Sequence, residues 1–205
     1  IEQQGSSNII GGLNSVAGTM TALDLDGASM TLDINQIGSS NKFLGDIFAD
    51  SYTGFFNFSG DSNVFTMQTD PNNTFGADNS NVNVQVTGNT NNLTLNQATA
   101  ALASALDLDW IIQGSGNSLT AGIDIDGATN YMNIDGNDNT ITYDGDGTNA
   151  SANAYFHLTH TGGSRNIDVT QQSTLARDWL QINSTGSNGT FCINQNDQGT
   201  TTSCP

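Results

Sequence analysis

Basic residues are scarce in this sequence, and their scarcity limits the partners that the chain can have. Only Lys42, Arg165 and Arg177 oppose 20 acidic residues, which gives a formal net charge of −17 at pH 7. Because such a surface repels phosphate groups, we expect no nucleic-acid partner. The same acidity keeps a strand-rich protein soluble and makes a divalent cation a candidate ligand.

Proline and long apolar runs are also scarce. The chain has 2 prolines, which favours β-sheet because proline cannot donate a ladder hydrogen bond. No apolar run approaches the length of a membrane-spanning helix, so we expect no membrane span. Hydrophobic residues make up 35% of the chain, and the abundance of Gly, Asn, Asp, Ser and Thr is typical of short strands joined by turns. These features predict an all-β fold.

The sequence has 2 cysteines, Cys192 and Cys204, both near its end. A close pair in so polar a chain favours a disulfide formed outside the cytosol over two free thiols. We therefore expect a secreted protein, extracellular or on the cell surface, with a disulfide-tethered tail at residues 196–205. Because Ile1 falls inside a repeat motif, we also expect the sequence to be a processed mature form.

A repeat built around a glycine dominates residues 1–195. Three residues after each of its 8 glycines comes asparagine in the first six copies, Arg165 in the seventh and Gly189 in the eighth. Successive glycines are 22 to 33 residues apart, a period typical of solenoid proteins. The glycines are Gly5, Gly38, Gly60, Gly88, Gly114, Gly136, Gly162 and Gly186.

Apolar and polar residues alternate on both sides of each four-residue turn. An apolar residue stands four positions before every one of these glycines, and another stands two positions after every asparagine position. A period of two predicts strands whose apolar side chains share one face. A lone strand pair cannot bury such a face, whereas stacked pairs can. We therefore predict a single domain over residues 1–195, a β-solenoid of about eight strand-turn-strand rungs stacked in parallel. The inward positions before the turn are Ile1, Ile34, Phe56, Val84, Trp110, Met132, Leu158 and Ile182.

Two of the turns carry a motif that resembles the curlin repeat. The segments Gln3-Gln-Gly-Ser-Ser-Asn8 and Gln36-Ile-Gly-Ser-Ser-Asn41 are similar to its Gln-x-Gly-x-x-Asn core. The curlin repeat also carries a glutamine six residues beyond its asparagine. Three glutamines of this chain hold that place: Gln97, Gln171 and Gln195.

This resemblance implies a structural subunit of a secreted curli-like fibre, an amyloid-like filament for a biofilm matrix or surface adhesion. It implies self-association head to tail by rung stacking, with further partners for secretion and nucleation. Inward amide side chains form hydrogen-bonded ladders between rungs in cross-β structures. The large residues Phe43, Phe65 and Phe191 stand where curlin has small ones, which predicts a wider and more apolar core. The expected ladder residues are Gln3, Asn8, Gln36, Asn41, Asn63, Asn91, Gln97, Asn117, Asn139, Gln171 and Gln195.

Aspartates spaced two residues apart recur along the chain. Residues i and i+2 of a strand share a face, so each pair presents two oxygen ligands that suit calcium. The alternative is that they are solvated turn residues, since no EF-hand loop is complete. No other cofactor is expected. The candidate calcium residues are Asp24, Asp26, Asp124, Asp126, Asp144 and Asp146.

No enzyme is expected, because the sequence has neither a nucleophile motif nor a phosphate-binding glycine loop. His160 falls on an inward position and is interpreted as a core residue. An alternative to the fibre is a non-polymerising extracellular β-solenoid that binds ice, calcium or carbohydrate. A column of threonines resembles the ice-binding face of some antifreeze proteins, although threonine is also common on exposed strands. The column consists of Thr66, Thr94, Thr120 and Thr142.

Overall fold

A computed structural model of the chain describes residues 1–7, 9–13, 20–21, 23–27, 29–48, 51–69, 78–97, 105–124, 126–147, 153–173 and 178–196. Within those residues every regular element is a β-strand, as the short alternating segments predict. The strands in chain order are β1 (Glu2–Gln4), β2 (Ile9–Ile10), β3 (Gly12–Leu13), β4 (Met20–Thr21), β5 (Leu23–Asp26), β6 (Thr31–Ile37), β7 (Lys42–Phe48), β8 (Thr53–Ser59), β9 (Val64–Thr69), β10 (Asn81–Thr87), β11 (Asn92–Gln97), β12 (Asp107–Gln113), β13 (Ser118–Asp124), β14 (Thr129–Asp135), β15 (Thr140–Gly147), β16 (Ala154–Thr161), β17 (Arg165–Ser173), β18 (Asp178–Thr185) and β19 (Gly189–Asn196).

The strands form two long parallel sheets that share one core. One sheet has the order β1-β6-β8-β10-β12-β14-β16-β18, and the other has the order β19-β17-β15-β13-β11-β9-β7-β2. From β6 onward the chain supplies one strand to each sheet in turn, with the repeat glycine opening the link between them. The predicted all-β solenoid of parallel strands is confirmed.

The first winding of the chain differs from the others. Strand β2 pairs with the start of β7, and β5 pairs with the same strand from Gly45 to Phe48. Between them β3 and β4 form a short antiparallel pair. An excursion therefore interrupts a strand that is continuous in later windings, which accounts for the longest glycine spacing.

The buried side chains are those that the alternation predicts. Inward positions of neighbouring strands lie in register, so Ile34, Phe56, Val84, Trp110 and Met132 form one column, each at most 2% exposed. Columns of this kind from both sheets merge into a single apolar cluster. The core is continuous along the axis because each rung covers the apolar face of the one before it.

Aromatic rings fill the early part of the core. The Phe43 and Phe65 rings stack with their centroids 5.2 Å apart. Inward glycines make room for such rings: a Cβ on Gly45 would lie 2.7 Å from the Phe43 ring, and one on Gly54 would lie 2.5 Å from the Phe56 ring. At these two positions glycine therefore leaves the space that the neighbouring ring fills.

Candidate functional site

The turns between the two sheets stack on one another through their glycines. Gly88 and Gly114 both have φ of +138°, a conformation that a Cβ disfavours. A Cβ on Gly114 would also lie only 1.9 Å from the Gly88 carbonyl oxygen of the neighbouring rung. Glycine is therefore required twice over, by the backbone angle and by the close approach of the next turn.

A second strained position in each turn precedes the asparagine. Thr90 and Asp138 each have φ of +57°, and the asparagines that follow them, Asn91 and Asn139, are not among the residues with positive φ. An unusual backbone angle therefore does not explain why asparagine occupies this place. The reason lies in its side chain.

The asparagine side chains form a ladder along the solenoid axis. Each Oδ1 accepts a hydrogen bond from the backbone N–H of the asparagine one rung earlier. The four N–H···Oδ1 distances are 2.9 Å for Asn41 to Asn63, 2.8 Å for Asn63 to Asn91, 2.9 Å for Asn91 to Asn117 and 2.9 Å for Asn117 to Asn139. The ladder pairs backbone donors that are buried from water and would otherwise lack a partner.

Two of the asparagine amide nitrogens cap their own turns. The Nδ2 groups of Asn41 and Asn63 each donate to the glycine carbonyl of their own turn at 2.9 Å. All five asparagines are at most 2% exposed. Asn91 Nδ2 donates to Asn117 Oδ1 and Asn139 Nδ2 to the Gly114 carbonyl, both at 3.2 Å, whereas Asn117 Nδ2 has no hydrogen-bond partner among the described residues. Asn8, the sixth predicted member, lies outside the described residues.

Arg165 occupies the asparagine position after the ladder ends. Its Nη1 donates to the Gly162 carbonyl at 3.1 Å, the same type of contact that an asparagine Nδ2 makes with its own turn. The guanidinium lies 5.0 Å from the centre of the Phe191 ring, a cation–π distance. Gly189 leaves space for this side chain, since a Cβ there would lie 2.9 Å from Arg165 Cγ.

Four of the five predicted glutamines lie towards the two ends of the solenoid, and Gln97 lies in its middle. Near the first rung, Gln36 is fully buried and its Nε2 donates to Gln3 Oε1 at 2.9 Å. At the other end Gln171 and Gln195 are in register. Gln171 is fully buried, and within the described part of the chain its amide has no hydrogen-bond partner. Gln97 ends β11, and its side chain lies outside the described residues.

The last rung exposes residues that are core elsewhere. Phe191 and Ile193 are 41% and 49% exposed, whereas Ile167 and Val169, which precede them in the same columns, are fully buried. In the described residues, β18 and β19 pair with a neighbouring strand on one side only. Within residues 178–196, this end of the solenoid therefore presents exposed apolar side chains beside open strand edges.

Two of the predicted aspartate pairs lie partly on the outer face. Asp144 and Asp146 are both exposed on β15, and burial, followed by the charges of Asp146 and Asp168, raises the pKa of Asp144. Asp24 is exposed and in register with Asp46, whose pKa is raised by burial and then by Asp24. The side chain of Asp26 lies outside the described residues.

The third pair does not have the expected geometry. Asp126 is only 6% exposed, and its carbonyl accepts a hydrogen bond from the Ala105 N–H at the bend before β14. The expectation that Asp124 and Asp126 form an outward pair is therefore wrong for Asp126, because the strand ends before it. The Asp124 side chain is not among those described. No three acidic, histidine or cysteine side chains of the described residues are grouped to hold a metal.

His160 lies in the core, at the inward position where the sequence analysis places it. It is 1% exposed and in register with Ile134 and Ser184, and neither ring nitrogen has a hydrogen-bond partner in the described residues. Burial first, and then Arg165, lower its pKa, while Asp135 acts in the opposite direction. This environment favours the neutral imidazole.

The threonine column and Cys192 occupy outward positions of the second sheet. The four threonines are in register, followed in the same column by Asp168 and Cys192. The neighbouring column is mixed, with Val64, Asn92, Ser118 and Thr140, so the flat two-column array of an ice-binding face is missing. Cys204 lies outside the described residues, and the disulfide stays a prediction.

Exposed aromatic residues on the first sheet were missed by the sequence analysis. Tyr131, Tyr155 and Trp179 are 47%, 47% and 57% exposed. The Tyr155 and Trp179 rings stack at 6.0 Å with 13° between their planes, and the Tyr131 and His157 rings meet edge to face at 5.9 Å. Aligning the positions five and seven residues before each glycine would have revealed these columns.

In the part of the chain that the structure describes, no helix is long and apolar enough to cross a membrane. In comparisons with known proteins, no family model matches the chain, and no curated protein or solved structure is significantly similar to it. The resemblance to the curlin repeat therefore rests on the motifs and their spacing.

Proposed function

We propose that this chain is a structural subunit of a secreted, curli-like fibre that grows by head-to-tail stacking of solenoid rungs. The proposed subunit has eight rungs, of which β1 with β2 and β5 form the first and β18 with β19 the last. Its role is in a biofilm matrix or in surface adhesion, outside the cell. The bare last rung is the observation that carries the proposal.

The exposed apolar residues of that rung favour a stacking partner. Phe191 and Ile193 continue columns that are fully buried one rung earlier. Covering them removes apolar surface from water, which stabilises association by about 25 cal/mol for each Å² buried. Inside the molecule, residues of these columns are covered by the next rung in the same register, so a further rung is the partner that fits Phe191 and Ile193.

The open strand edges at the first rung favour the same partner. Gly5 N–H donates to the Ile37 carbonyl of β6 at 3.0 Å. Backbone groups of successive strand residues point to opposite sides, so Glu2 and Gln4 direct their N–H and C=O groups away from β6. These groups form an open edge, which is a template for another strand.

The last rung offers the complementary edge. Gly162 N–H donates to the Thr185 carbonyl at 2.9 Å, so the alternation directs the backbone groups of Ile182 and Ser184 away from β16. The unpaired backbone groups therefore belong to residues with outward side chains (Glu2 and Gln4) at the first rung and to residues with inward side chains (Ile182 and Ser184) at the last rung. The paired strands inside the molecule meet through the same two kinds of edge. Because the two ends differ, the contact is heterologous and produces a filament instead of a closed ring.

The test removes hydrogen-bond donors from the first edge alone. In the double variant Glu2→Pro/Gln4→Pro, the proline rings remove two N–H groups that have no role inside the monomer, and proline is tolerated on an edge strand. We expect the variant to fold but to form no filaments in negative-stain electron microscopy, under conditions in which the unmodified chain forms them.

The matched control is Glu2→Ala/Gln4→Ala, which removes the same side chains but keeps both N–H groups. We expect it to form filaments of normal length. Circular dichroism and melting temperature establish that both variants are folded. Filaments of normal length from the proline variant would contradict end-to-end stacking, and absence of filaments from the unmodified chain would contradict the fibre itself.

A further inference from the structure

The geometry points to a binding groove for a neutral, β-linked polysaccharide on the outer face of the first sheet, between the columns of Tyr155 and Tyr131. This inference does not depend on fibre formation, since every residue involved belongs to one chain. It concerns a surface that faces away from the core.

The groove lies between two columns of ring-bearing side chains that run along the solenoid axis. Tyr155 and Trp179 form one wall, and Tyr131 and His157 form the other. The space between them measures about 450 Å³, and a second groove of about 320 Å³ lies on the far side of Tyr131 and His157, beside Asp109. Both are within the size range of small-molecule sites in proteins.

The walls are ordered before any ligand binds. Tyr155 is stacked on Trp179, and Tyr131 is held against His157. His157 Nε2 lies 3.2 Å from Asn183 Nδ2 and 3.4 Å from Thr159 Oγ1. Because these rings are already restrained, little conformational entropy is lost when they contact a ligand. A group of exposed rings of this kind on a soluble protein marks an interaction surface.

The chemistry of the groove suits a sugar ring. A β-linked pyranose with equatorial hydroxyls has apolar C–H faces and a polar rim. The aromatic walls offer apolar surface for the faces, and Gln181 supplies a hydrogen-bonding group for the rim. In the second groove, Asp109 and Asn133 supply such groups. The rung spacing of about 4.8 Å is close to the length of one pyranose unit, so successive rungs match successive sugars.

Charge selects a neutral ligand over the alternatives. The chain carries a net charge of −17, so anionic polysaccharides, nucleic acids and anionic membranes are all repelled. A second copy of this chain, packed side by side, would bring the same negative charge against itself. An uncharged polysaccharide encounters no such repulsion, and its hydroxyls can donate hydrogen bonds to the Gln181 side-chain carbonyl.

The test measures binding of cellohexaose and chitohexaose to the unmodified chain by isothermal titration calorimetry. Trp110 is buried and Trp179 is exposed, so a change in tryptophan fluorescence on binding reports on the groove. We expect saturable binding of at least one of the two neutral sugars. In Trp179→Ala and Tyr131→Ala, we expect binding to weaken about five- to tenfold, the range of one aromatic contact.

The matched control is Phe55→Ala. Phe55 is 48% exposed, stands in the same outward column as Tyr131, and lies three rungs away from it. We expect this variant to bind within about twofold of the unmodified chain. Circular dichroism establishes that each variant is folded.

Three outcomes would overturn the inference. The first is no saturation with either hexasaccharide up to about 10 mM, the weak limit of specific binding. The second is an equal loss of binding in Phe55→Ala and Trp179→Ala. The third is a Trp179→Ala variant that keeps sugar binding but loses side-by-side association in sedimentation experiments, which would assign the groove to a second copy of the chain.

Discussion

The middle rungs and the last two rungs share one repeat, yet their cores differ. In the middle, inward columns hold residues such as Val84 and Ile112, and the asparagine ladder is unbroken. In the last two rungs the Ile112 column holds His160 and Ser184, and Arg165 replaces the ladder asparagine. Burial of a residue here depends on having a rung on each side, so the repeat alone does not determine how strongly a position stabilises the fold.

The comparison also separates stability from assembly. A core side chain in the middle contributes to folding of the monomer, whereas the same type of side chain on the last rung is about half exposed and would be buried by the proposed stacking. Polar inward groups at the two ends, such as Gln3 and Ser184, suit a junction that forms after folding. Substitutions matched by column or by turn therefore test the difference directly.

The largest effect is expected from a methyl group in a stacked turn. Gly114→Ala places a Cβ 1.9 Å from the Gly88 carbonyl oxygen at φ of +138°. Because the contact is with backbone, relief requires two rungs to separate, and we expect a loss of about 4 kcal/mol or more in the free energy of unfolding. Urea denaturation measures it.

The control for this substitution lies in the same turn. In Gly116→Ala the new Cβ would be 3.4 Å from a Thr90 methyl group, at φ of +69°. Serine occupies this place in other turns, with φ of +60° at Ser40 and Ser62. We expect a loss of about 1 kcal/mol, the cost of a left-handed conformation. Similar losses for both variants would contradict the stacked-turn geometry.

The second prediction compares two isoleucines at inward positions. Ile167 is fully buried, and Ile193 on the last rung is 49% exposed. Ile167→Ala creates a cavity and should lower the free energy of unfolding by about 3 kcal/mol. Ile193→Ala should lower it by less than about 1 kcal/mol, because the side chain gains little from folding of the monomer.

Filament assembly should reverse this order. Ile193→Ala is expected to slow filament growth, followed by light scattering, since its side chain is buried only at a junction. If Ile193→Ala destabilised the monomer as much as Ile167→Ala does, the last rung would be covered within the monomer and the proposed assembly surface would be lost.

The third prediction concerns the ladder and the outward column beside it. Asn117→Leu removes the Oδ1 that accepts from the Asn91 N–H at 2.9 Å, which leaves a buried donor without a partner. We expect a loss of about 2 kcal/mol. Thr120→Ser, on the outer face directly after the buried Leu119, should change stability by less than about 0.5 kcal/mol. Equal shifts in melting temperature for the two variants would refute the inward role of the asparagines.

Much of this architecture could be predicted from the sequence because one periodicity determines it. A period of two around a recurrent glycine identified the inward positions, and the strand register places them in common columns. The burial of Asp126 could not be predicted, since it depends on where a strand ends. The aromatic groove was missed because its paired rings are 24 to 26 residues apart and become neighbours only when rungs are aligned.

The function of Arg165 in its turn was equally hidden. A basic residue in place of asparagine reads as a break in the motif, yet its Nη1 makes the turn-capping contact at 3.1 Å. Gly189, one rung away, leaves the space that the Arg165 side chain fills. Because this pair of substitutions occurs once, it does not appear as a repeating pattern in the sequence. Pairwise compensation of this kind requires coordinates.

The smallest effect is expected from His160, in the seventh rung, when the pH is lowered. Burial and Arg165 lower its pKa, so the folded protein binds a proton there less readily than the unfolded chain does. The contribution of the neutral ring is complete above the ordinary value of about 6.5 and is lost as the pH falls through that value towards the lowered one. Between about pH 7.5 and pH 5.5 the melting temperature should therefore fall more steeply for the unmodified chain than for His160→Gln.

Glutamine is a suitable replacement for His160 because it does not titrate and because Gln36 already occupies the same inward column near the first rung. His157→Gln, on the outer face, should retain the steep fall. An equal loss of stability on acidification for His160→Gln and the unmodified chain would contradict this prediction. The nearby Asp135 carboxylate would then have to cancel the lowering of the His160 pKa by burial and Arg165.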